Sequence, residues 1–418
     1  MSAPNTAACT GAVPRPLHAN AVGYATWNSK KFGYLSDWLG SMGGMTYAAG
    51  TRFHIVNVTT GQSAFSGTIE ERGGADEYKT RVWQCDFSSF STVGHYRLAV
   101  EGVGCSYPFE IHPDAYRTAF HGVARGLFHQ RCGCAFLPQN TLWSMPRCHH
   151  SEDIPAFQSS ATYVNDTPSS LANASTGQRI NYWGGWHDAG DCDIYDAHLK
   201  IPFMLFAAYD LNPGSFADAE LNIPESGNGI PDILDEARWG VDHWKRLQMN
   251  NGGVPSHSTP FPSPSCITNC TAIYASAASS GATHLYAGMA AAMGYYMNRF
   301  GKTAEATDYI NSAKKSYAYS GSGSEKAMAA LWLWRATGES SYHETYKSMN
   351  PGYSGGWDEA GTVQHFGVSV LHWIQETAGS GSSCHSSTTQ PRFSSAVSRV
   401  NCVNKYLGGY NGYWLHSL

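Results

Sequence analysis

The stretch Ala115-Tyr116-Arg117-Thr118-Ala119-Phe120-His121-Gly122-Val123-Ala124-Arg125-Gly126-Leu127-Phe128-His129-Gln130 divides the chain by its hydrophobic period. Tyr116, Ala119, Phe120, Val123, Leu127 and Phe128 recur at three- and four-residue spacing, which predicts an amphipathic helix. Before this stretch the pattern is that of strands, and after it that of helices. The chain therefore reads as an all-β domain followed by an all-α domain, with the boundary between residues 113 and 114.

Upstream, short strands are expected at Ala21–Thr26, Lys31–Ser36, Arg52–Val58, Ser63–Glu70, Arg81–Phe87, His95–Glu101 and Ser106–Ile111. Tyr96-Arg97-Leu98-Ala99-Val100 alternates apolar and longer polar side chains, and Thr60-Gly61 and Gly73-Gly74 supply turns. Seven short strands over residues 18–113 suit an immunoglobulin-like β-sandwich, within which Cys85 and Cys105 are candidates for a bridge. Residues 1–17, with three prolines and no period, read as an N-terminal tail.

Downstream, helices are expected at Ile194–Asp210, Ile230–Gln248, Ala275–Phe300, Ala304–Tyr319, Ser324–Thr337, Tyr342–Met349, Gln364–Thr377 and Ser394–Leu407, with no strands among them. Ile194–Asp210 is apolar almost all round and should be deeply buried. Asn228 is the expected N-cap of the next helix, with Pro231 in its first turn. Pro255–Cys270 reads as a Pro/Ser-rich loop that Cys266 and Cys270 staple. Gly379–Thr389 is a Ser-rich loop, with Cys384 able to pair with Cys402, and Cys9 has no evident partner.

The composition excludes several partner classes. Charged residues are only 14% of the 418, aromatics are 13%, and the net charge is −5 with no Lys/Arg run. Nucleic acid and anionic membrane are therefore poor partners, whereas a surface rich in Ser, Thr, Asn, Gly and Tyr suits neutral glycans. No run is long and apolar enough to span a bilayer. Met1 to Gly11 lacks the apolar core of a signal peptide and reads as a mature or processed terminus. Eleven cysteines and the sequons at Asn57, Asn165, Asn173 and Asn269 nevertheless point to a secreted setting.

Two groups of residues carry chemistry. Gln130-Arg131-Cys132-Gly133-Cys134 and Arg147-Cys148-His149-His150 offer two thiols and an imidazole of the kind that hold zinc. His187 is the candidate fourth ligand. Disulfides such as Cys132–Cys148 or Cys134–Cys148 are the alternative, and Cys192 could pair with Cys134. The second group is Asn181-Tyr182-Trp183-Gly184-Gly185-Trp186-His187-Asp188-Ala189-Gly190-Asp191. Its two carboxylates, three residues apart, can hold a water between them and take its proton. Trp183 and Trp186 are candidate sugar platforms. The same residue types also build surface turns. Asp193 and Asp196, just beyond, read as caps of the next helix, or as groups that raise the pKa of Asp191 or help bind a cation. Glu225, Asp232 and Asp235 read as capping acids, or as groups lining a cleft or binding calcium.

Trp183-Gly184-Gly185-Trp186-His187-Asp188-Ala189-Gly190-Asp191 resembles the catalytic-base signature of glycoside hydrolase family 9. Glu225-Ser226-Gly227-Asn228-Gly229-Ile230-Pro231-Asp232-Ile233-Leu234-Asp235-Glu236-Ala237-Arg238-Trp239 is similar to a second, longer signature of that family. Asn20-Ala21-Val22-Gly23-Tyr24 and Gly94-His95-Tyr96-Arg97-Leu98 resemble the N-terminal immunoglobulin-like module of one of its branches. Arg131-Cys132-Gly133 and Cys148-His149 match further motifs of that branch. The resemblance spans about residues 18–377 and implies a six-hairpin α/α barrel over 114–418. It also implies inverting hydrolysis of β-1,4-glucans, with Asp191 as general base and Asp188 helping to hold the water. Carried over, the ligands of a structural zinc are Cys132, Cys148, His149 and His187. Relatives also bind calcium structurally, at ligands the resemblance does not place here.

An inverting pair needs a protonated carboxyl roughly 6.5–9.5 Å from the base. The family's Asn-Glu acid segment and the His/Arg segment before it have no counterpart in this sequence. Nine expected helices fall short of six hairpins, so the barrel reads as incomplete at its C-terminus. Three readings stay open: a fragment of a longer protein, a reduced barrel with another acid such as Glu359, or a non-catalytic glycan-binding or structural glycoprotein on the same scaffold.

Overall fold

A computed structural model describes residues 16–72, 80–162, 168–188, 191–267 and 269–349. Asn165, Glu359, Cys9, Cys384, Cys402 and the expected helices Gln364–Thr377 and Ser394–Leu407 lie outside the described residues. Two compact units divide between Val123 and Ala124, inside the first helix.

Among the described residues the first unit holds nine strands: β1 (Leu17–His18), β2 (Phe32–Leu35), β3 (Arg52–Asn57), β4 (Ser63–Thr68), β5 (Glu70–Glu71), β6 (Trp83–Asp86), β7 (Gly94–Val100), β8 (Gly104–Cys105) and β9 (Phe109–Ile111). One antiparallel sheet runs β1-β2-β6-β5; the other runs β4-β3-β7, with β8 and β9 both pairing with β7. In β7 the buried residues are Tyr96, Leu98 and Val100, as the alternation predicts. They share one core with Leu35, Phe53, Ile55, Trp83, Phe87, Phe109 and Ile111. Gly33 of one sheet faces Leu98 of the other so closely that a Cβ there would collide with it.

Two expectations fail in this unit. Ala21–Thr26 is not a strand, and only Tyr24 makes a bridge, to Ile111. Asn20 closes a turn instead: its Oδ1 accepts from Val22 N at 3.0 Å, its Nδ2 donates to the Gly23 carbonyl at 2.9 Å, and Gly23 takes φ +105°. Cys85 and Cys105 are not bridged. Cys85 is a free thiol in the core, its pKa pushed up to about 12 by burial, while Cys105 is disulfide-bonded elsewhere.

The second unit takes up the C-terminal half of α1 (Arg117–His129) and continues with β10 (Ala156–Ser159), α2 (Pro168–Asn173), β11 (Ser175–Arg179), β12 (Ile194–Tyr195), α3 (Lys200–Leu211) and α4 (Asp232–Arg246). Then come β13 (Val254–Pro255), β14 (His257–Phe261), β15 (Ala272–Ala275), β16 (Ala278–Ser279), α5 (Ser280–Arg299), α6 (Thr303–Tyr317), α7 (Ser324–Thr337) and α8 (Ser340–Met349). Helix α3 packs on α4, α5 on both α6 and α7, and α7 on α8. Ser279 caps α5 by accepting from Ala282 N, and α7 stops at Gly338 with φ +74°.

The expectation of no strands beyond the sandwich is overturned by a sheet ordered β11-β10-β15-β14-β12 and a ribbon of β13 with β16. Thus β14 takes the first part of Pro255–Cys270, the loop after it is stapled by Cys266 and Cys270 as expected, and the expected helix Ala275–Phe300 begins only at Ser280. Ile194–Asp210 starts as β12, passes through a 3-10 turn at Asp196–Leu199, and becomes helical at Lys200. Nor is it buried all round, since Met204 is 53% exposed. Asn228 does not cap α4. Pro231 holds that position, and Asn228 Nδ2 donates to the Asp235 carboxylate at 3.0 and 3.1 Å.

Candidate metal centre and carboxylate loop

A short antiparallel bridge between Arg131 and Trp186 assembles the centre. His187 N donates to the Gln130 carbonyl at 2.8 Å and Cys132 N to the Gly185 carbonyl at 2.9 Å, which sets Cys132 beside His187. Ser151 N donates to the Tyr182 carbonyl at 2.8 Å, which lays the Cys148-His149 segment along the other side. The close approach needs glycine: at Gly133 (φ +72°) a Cβ would stand 3.0 Å from Gly184 N, and at Gly185 (φ +73°) it would stand 3.0 Å from Ile194.

The ligand atoms of Cys132, Cys148, His149 and His187 all lie within 4.8 Å of one another. Around one tetrahedral zinc, with Zn–S about 2.3 Å and Zn–N about 2.0 Å, ligand atoms stand roughly 3.3–3.8 Å apart, so this set needs only a small contraction. Cys132, Cys134, Cys148 and Cys192 are all free thiols, so none of the alternative disulfides among them forms. Cys148 accepts from Gly133 N at 3.4 Å and lies 3.3 Å from His187 Nε2. The Cys132 thiol donates to it, and with the His149 and His187 contacts this pulls its pKa down to about 2 against the opposing effect of burial. Two buried thiols beside two imidazoles are the donor set that a soft cation selects. His149, 1% exposed, gives Nε2–H to the Cys266 carbonyl at 2.8 Å, and its Nδ1 is buried with no hydrogen-bond partner. The residues present therefore fit a zinc ion.

The carboxylates follow directly. Asp191 N donates to the Asp188 carbonyl at 2.8 Å, closing a tight turn. His198, from the 3-10 turn, places Nε2 3.4 Å from Asp188 Oδ1 and feels the charge of Asp191 as well. Burial lowers the His198 pKa, and Asp188 acts against that. β12 pairs with β14 right after the turn, so the loop is anchored on both sides.

Other expected site residues have structural roles. Trp186 is 2% exposed and is no sugar platform; its Nε1 donates to Glu236 Oε1 at 2.9 Å, which satisfies the indole inside the core. The Trp183 ring is engaged by His150, stacked at 5.7 Å, by the Arg246 guanidinium 3.1 Å from its centroid, and by Trp239 edge-on, so it packs against protein. Asp193 is not a helix cap. It is buried, accepts from Tyr195 at 3.1 Å and faces His257 Nε2 at 3.5 Å. Burial would raise its pKa, but His257, Thr259 and Tyr195 outweigh that and hold it low. Glu225 pairs with Arg131. Asp232, at the start of α4, accepts from Ala219 N, Leu221 N and the Ser226 hydroxyl.

Glu236 and His198 belong to this site and have no role in the sequence reading, whereas Cys192, expected as a partner for Cys134, is a free thiol. Glu236 stands four residues after Asp232 in the helical register of a long signature, which was the available signal.

His243 of α4 supports the loop by donating Nδ1–H to the Trp183 carbonyl at 3.1 Å. Complete burial depresses its pKa to about 3. The unfolded chain takes up a proton near pH 6.5 that the folded chain refuses, so stability is full above that pH and is lost as pH falls toward 3. At pH 4 the loss is on the order of 3 kcal/mol. Denaturation midpoints measured from pH 7 to 4 should fall more steeply for the parent than for His243→Gln; parallel curves would refute this account.

A family model described as glycosyl hydrolase family 9 matches residues 116–414, and one described as a cellulase N-terminal ig-like domain matches residues 13–105. The chain is 28% identical over 239 residues to endoglucanase D of Acetivibrio thermocellus, covering 56% of this chain and 34% of that protein. It is 26% identical over 268 residues to a cellulose 1,4-beta-cellobiosidase of the same organism, covering 58% and 28%. The crystal structure of a metagenome-derived glycoside hydrolase family 9 endoglucanase superposes with a TM-score of 0.71 at 26% identity, covering 94% of this chain and 72% of that one. The chain thus spans about a third of the length of the curated relatives it matches.

Proposed function

The chain belongs to glycosyl hydrolase family 9, and from that premise we propose that it hydrolyses internal β-1,4-glucosidic bonds of cellulose or a related β-glucan with inversion. Asp191 acts as the general base and Asp188 helps to hold the attacking water. The observation that carries this reading is the Asp188–Asp191 turn, which starts at His187 of the thiol–imidazole set and is held from the other side by His198. Two carboxylates fixed in this way can orient a water and accept its proton.

Zinc is the cation we assign to Cys132, Cys148, His149 and His187. Four protein ligands leave no open position, so the ion would serve structure, not Lewis-acid chemistry. His187 joins the two sites, because a ligand held there sets the backbone from which Asp188 projects. Calcium remains a proposal without assigned ligands. We place the protein outside the cell: the bridged Cys266–Cys270 and Cys105 suit an oxidising compartment. Asn173 and Asn269 are exposed and available as glycan acceptors, whereas Asn57 turns its Oδ1 to Thr59 N and Thr60 N. Among the described residues no helix is long and apolar enough to cross a membrane.

The test is proton NMR of a soluble mixed-linkage β-glucan digested by the chain. The α-anomer of the new reducing end should appear first and then mutarotate. Appearance of the β-anomer first would refute inversion. Binding without any new reducing end would favour the non-catalytic glycan-binding reading, and a random fall in viscosity would separate internal cleavage from release of short ends.

A further inference from the structure

The loop between β14 and β15 is closed by the Cys266–Cys270 disulfide, with Cα atoms 5.4 Å apart. That loop reaches the metal centre at two points. The Cys266 carbonyl accepts from His149 Nε2 at 2.8 Å, and Cys270 Sγ stands 3.3 Å from the same nitrogen. The Pro264 carbonyl accepts from Cys192 N at 2.9 Å, next to Asp191. His149 itself sits at φ +36°, a left-handed backbone that a non-glycine residue keeps only when its surroundings impose it.

We propose that the Cys266–Cys270 disulfide is a redox-sensitive clamp on the metal centre, holding the carbonyl that aims His149 Nδ1 at the cation. The proposal rests on the zinc reading above. A hydrogen bond from the far nitrogen of a ligating imidazole fixes both the tautomer and the ring orientation. Here the acceptor is a main-chain oxygen on a five-residue loop, so its position depends on the covalent staple. With the staple open, the carbonyl gains freedom, His149 can relax from its strained backbone, and the ligand is released more readily. Cys266 and Cys270 are thus positioning residues. They do not ligate the ion while they are bonded to each other.

A phosphine reductant opens the staple with balanced stoichiometry. The disulfide takes two electrons, the phosphine becomes its oxide with the oxygen of one water, and the two protons of that water complete the thiols. The experiment uses the full chain loaded with zinc. Metal content is read by mass spectrometry, and zinc release to a chromophoric chelator is timed for the parent and for the Cys266→Ser/Cys270→Ser double variant, each with and without the phosphine. Loss of an outer partner of a metal ligand costs about 10–100-fold in metal affinity. The expected result is release at least about tenfold faster in the double variant. The phosphine should produce the same acceleration in the parent and none in the variant. Because the parent is reduced after folding, a variant that fails to fold still leaves that arm decisive. Cobalt substitution supplies a second readout. The visible ligand-field bands of the parent should change on reduction if His149 is displaced, which a loop loosened away from the ion would not cause. Release within twofold across all arms, or cobalt bands untouched by reduction, overturns the clamp while the zinc reading stands. A parent that binds no zinc overturns both, and the variant is not needed to show it.

Discussion

Asp191→Asn should lower the rate of β-glucan hydrolysis by about 10²–10⁴-fold, the contribution of a positioned general base, with little change in KM. Asparagine keeps the shape and one acceptor, so the turn closed by Asp191 N on the Asp188 carbonyl should persist. What is lost is the ability to take the proton of the water at the moment it attacks. On the proposed mechanism Asp188→Asn should cost less, because that carboxylate would orient the water without receiving its proton. Its side chain is 47% exposed and paired with His198, so removing its charge leaves no buried donor stranded. A second comparison isolates the chemistry from the fold. Asp191→Ala opens room for a small anion, and azide needs no base to attack the anomeric carbon. Recovery of turnover by azide, yielding a glycosyl azide of inverted configuration, would identify Asp191 as base. Zinc content should be unchanged in all three variants. If Asp191→Asn retains more than a tenth of parental activity, the base lies elsewhere and the assignment fails.

The parts of this molecule that were legible in its sequence are those where one local rule suffices. β7 alternates, and the structure buries Tyr96, Leu98 and Val100. α7 begins at Ser324 and ends at Thr337, the bounds that its period predicts. The four members of the thiol–imidazole set were named from ligand chemistry and resemblance, and they converge in space. What escaped depended on partners distant in sequence. Ala156–Ser159 has no alternation of its own and is a strand because Ala272–Ala275 lies parallel beside it and Ser175–Arg179 closes the other edge. Ile194-Tyr195 belongs to an apolar run that suits a helix, yet His257 and Ser258 pair with it. Trp186 has the composition of a sugar platform, and only the position of Glu236 decides that its indole points inward. Cys85 and Cys105 lie on strands of different sheets, and no spacing rule says that they fail to meet.

Arg131 shows how such distant partners decide stability. Its side chain is fully buried. Nη1 donates to both oxygens of Glu225 at 3.0 Å, Nε reaches both oxygens of Glu236 at 3.2 and 3.1 Å, and Nη2 donates to Glu236 Oε2 at 2.8 Å. The guanidinium also lies 4.4 Å from the centroid of Trp239. Burial alone would lower its pKa, but Glu236 and Glu225 hold it above its ordinary value. Arg131→Met should cost about 3–5 kcal/mol of unfolding free energy, because it leaves the Glu236 carboxylate buried without its cation. Arg131→Lys should recover little, since a single ammonium cannot make forked contacts to two carboxylates at once. Adding Glu236→Gln to Arg131→Met should restore a large part of the loss, because the amide oxygen can still accept from Trp186 and the one charge left without its cation is Glu225, which is partly exposed to solvent. Urea unfolding of the two single variants and the double variant gives the coupling directly, and additive losses would refute the arrangement. The local consequence follows from the backbone. Arg131 carries the bridge to Trp186 that sets Cys132 beside His187, so Arg131→Met should also speed zinc release, and should do so without touching a ligand.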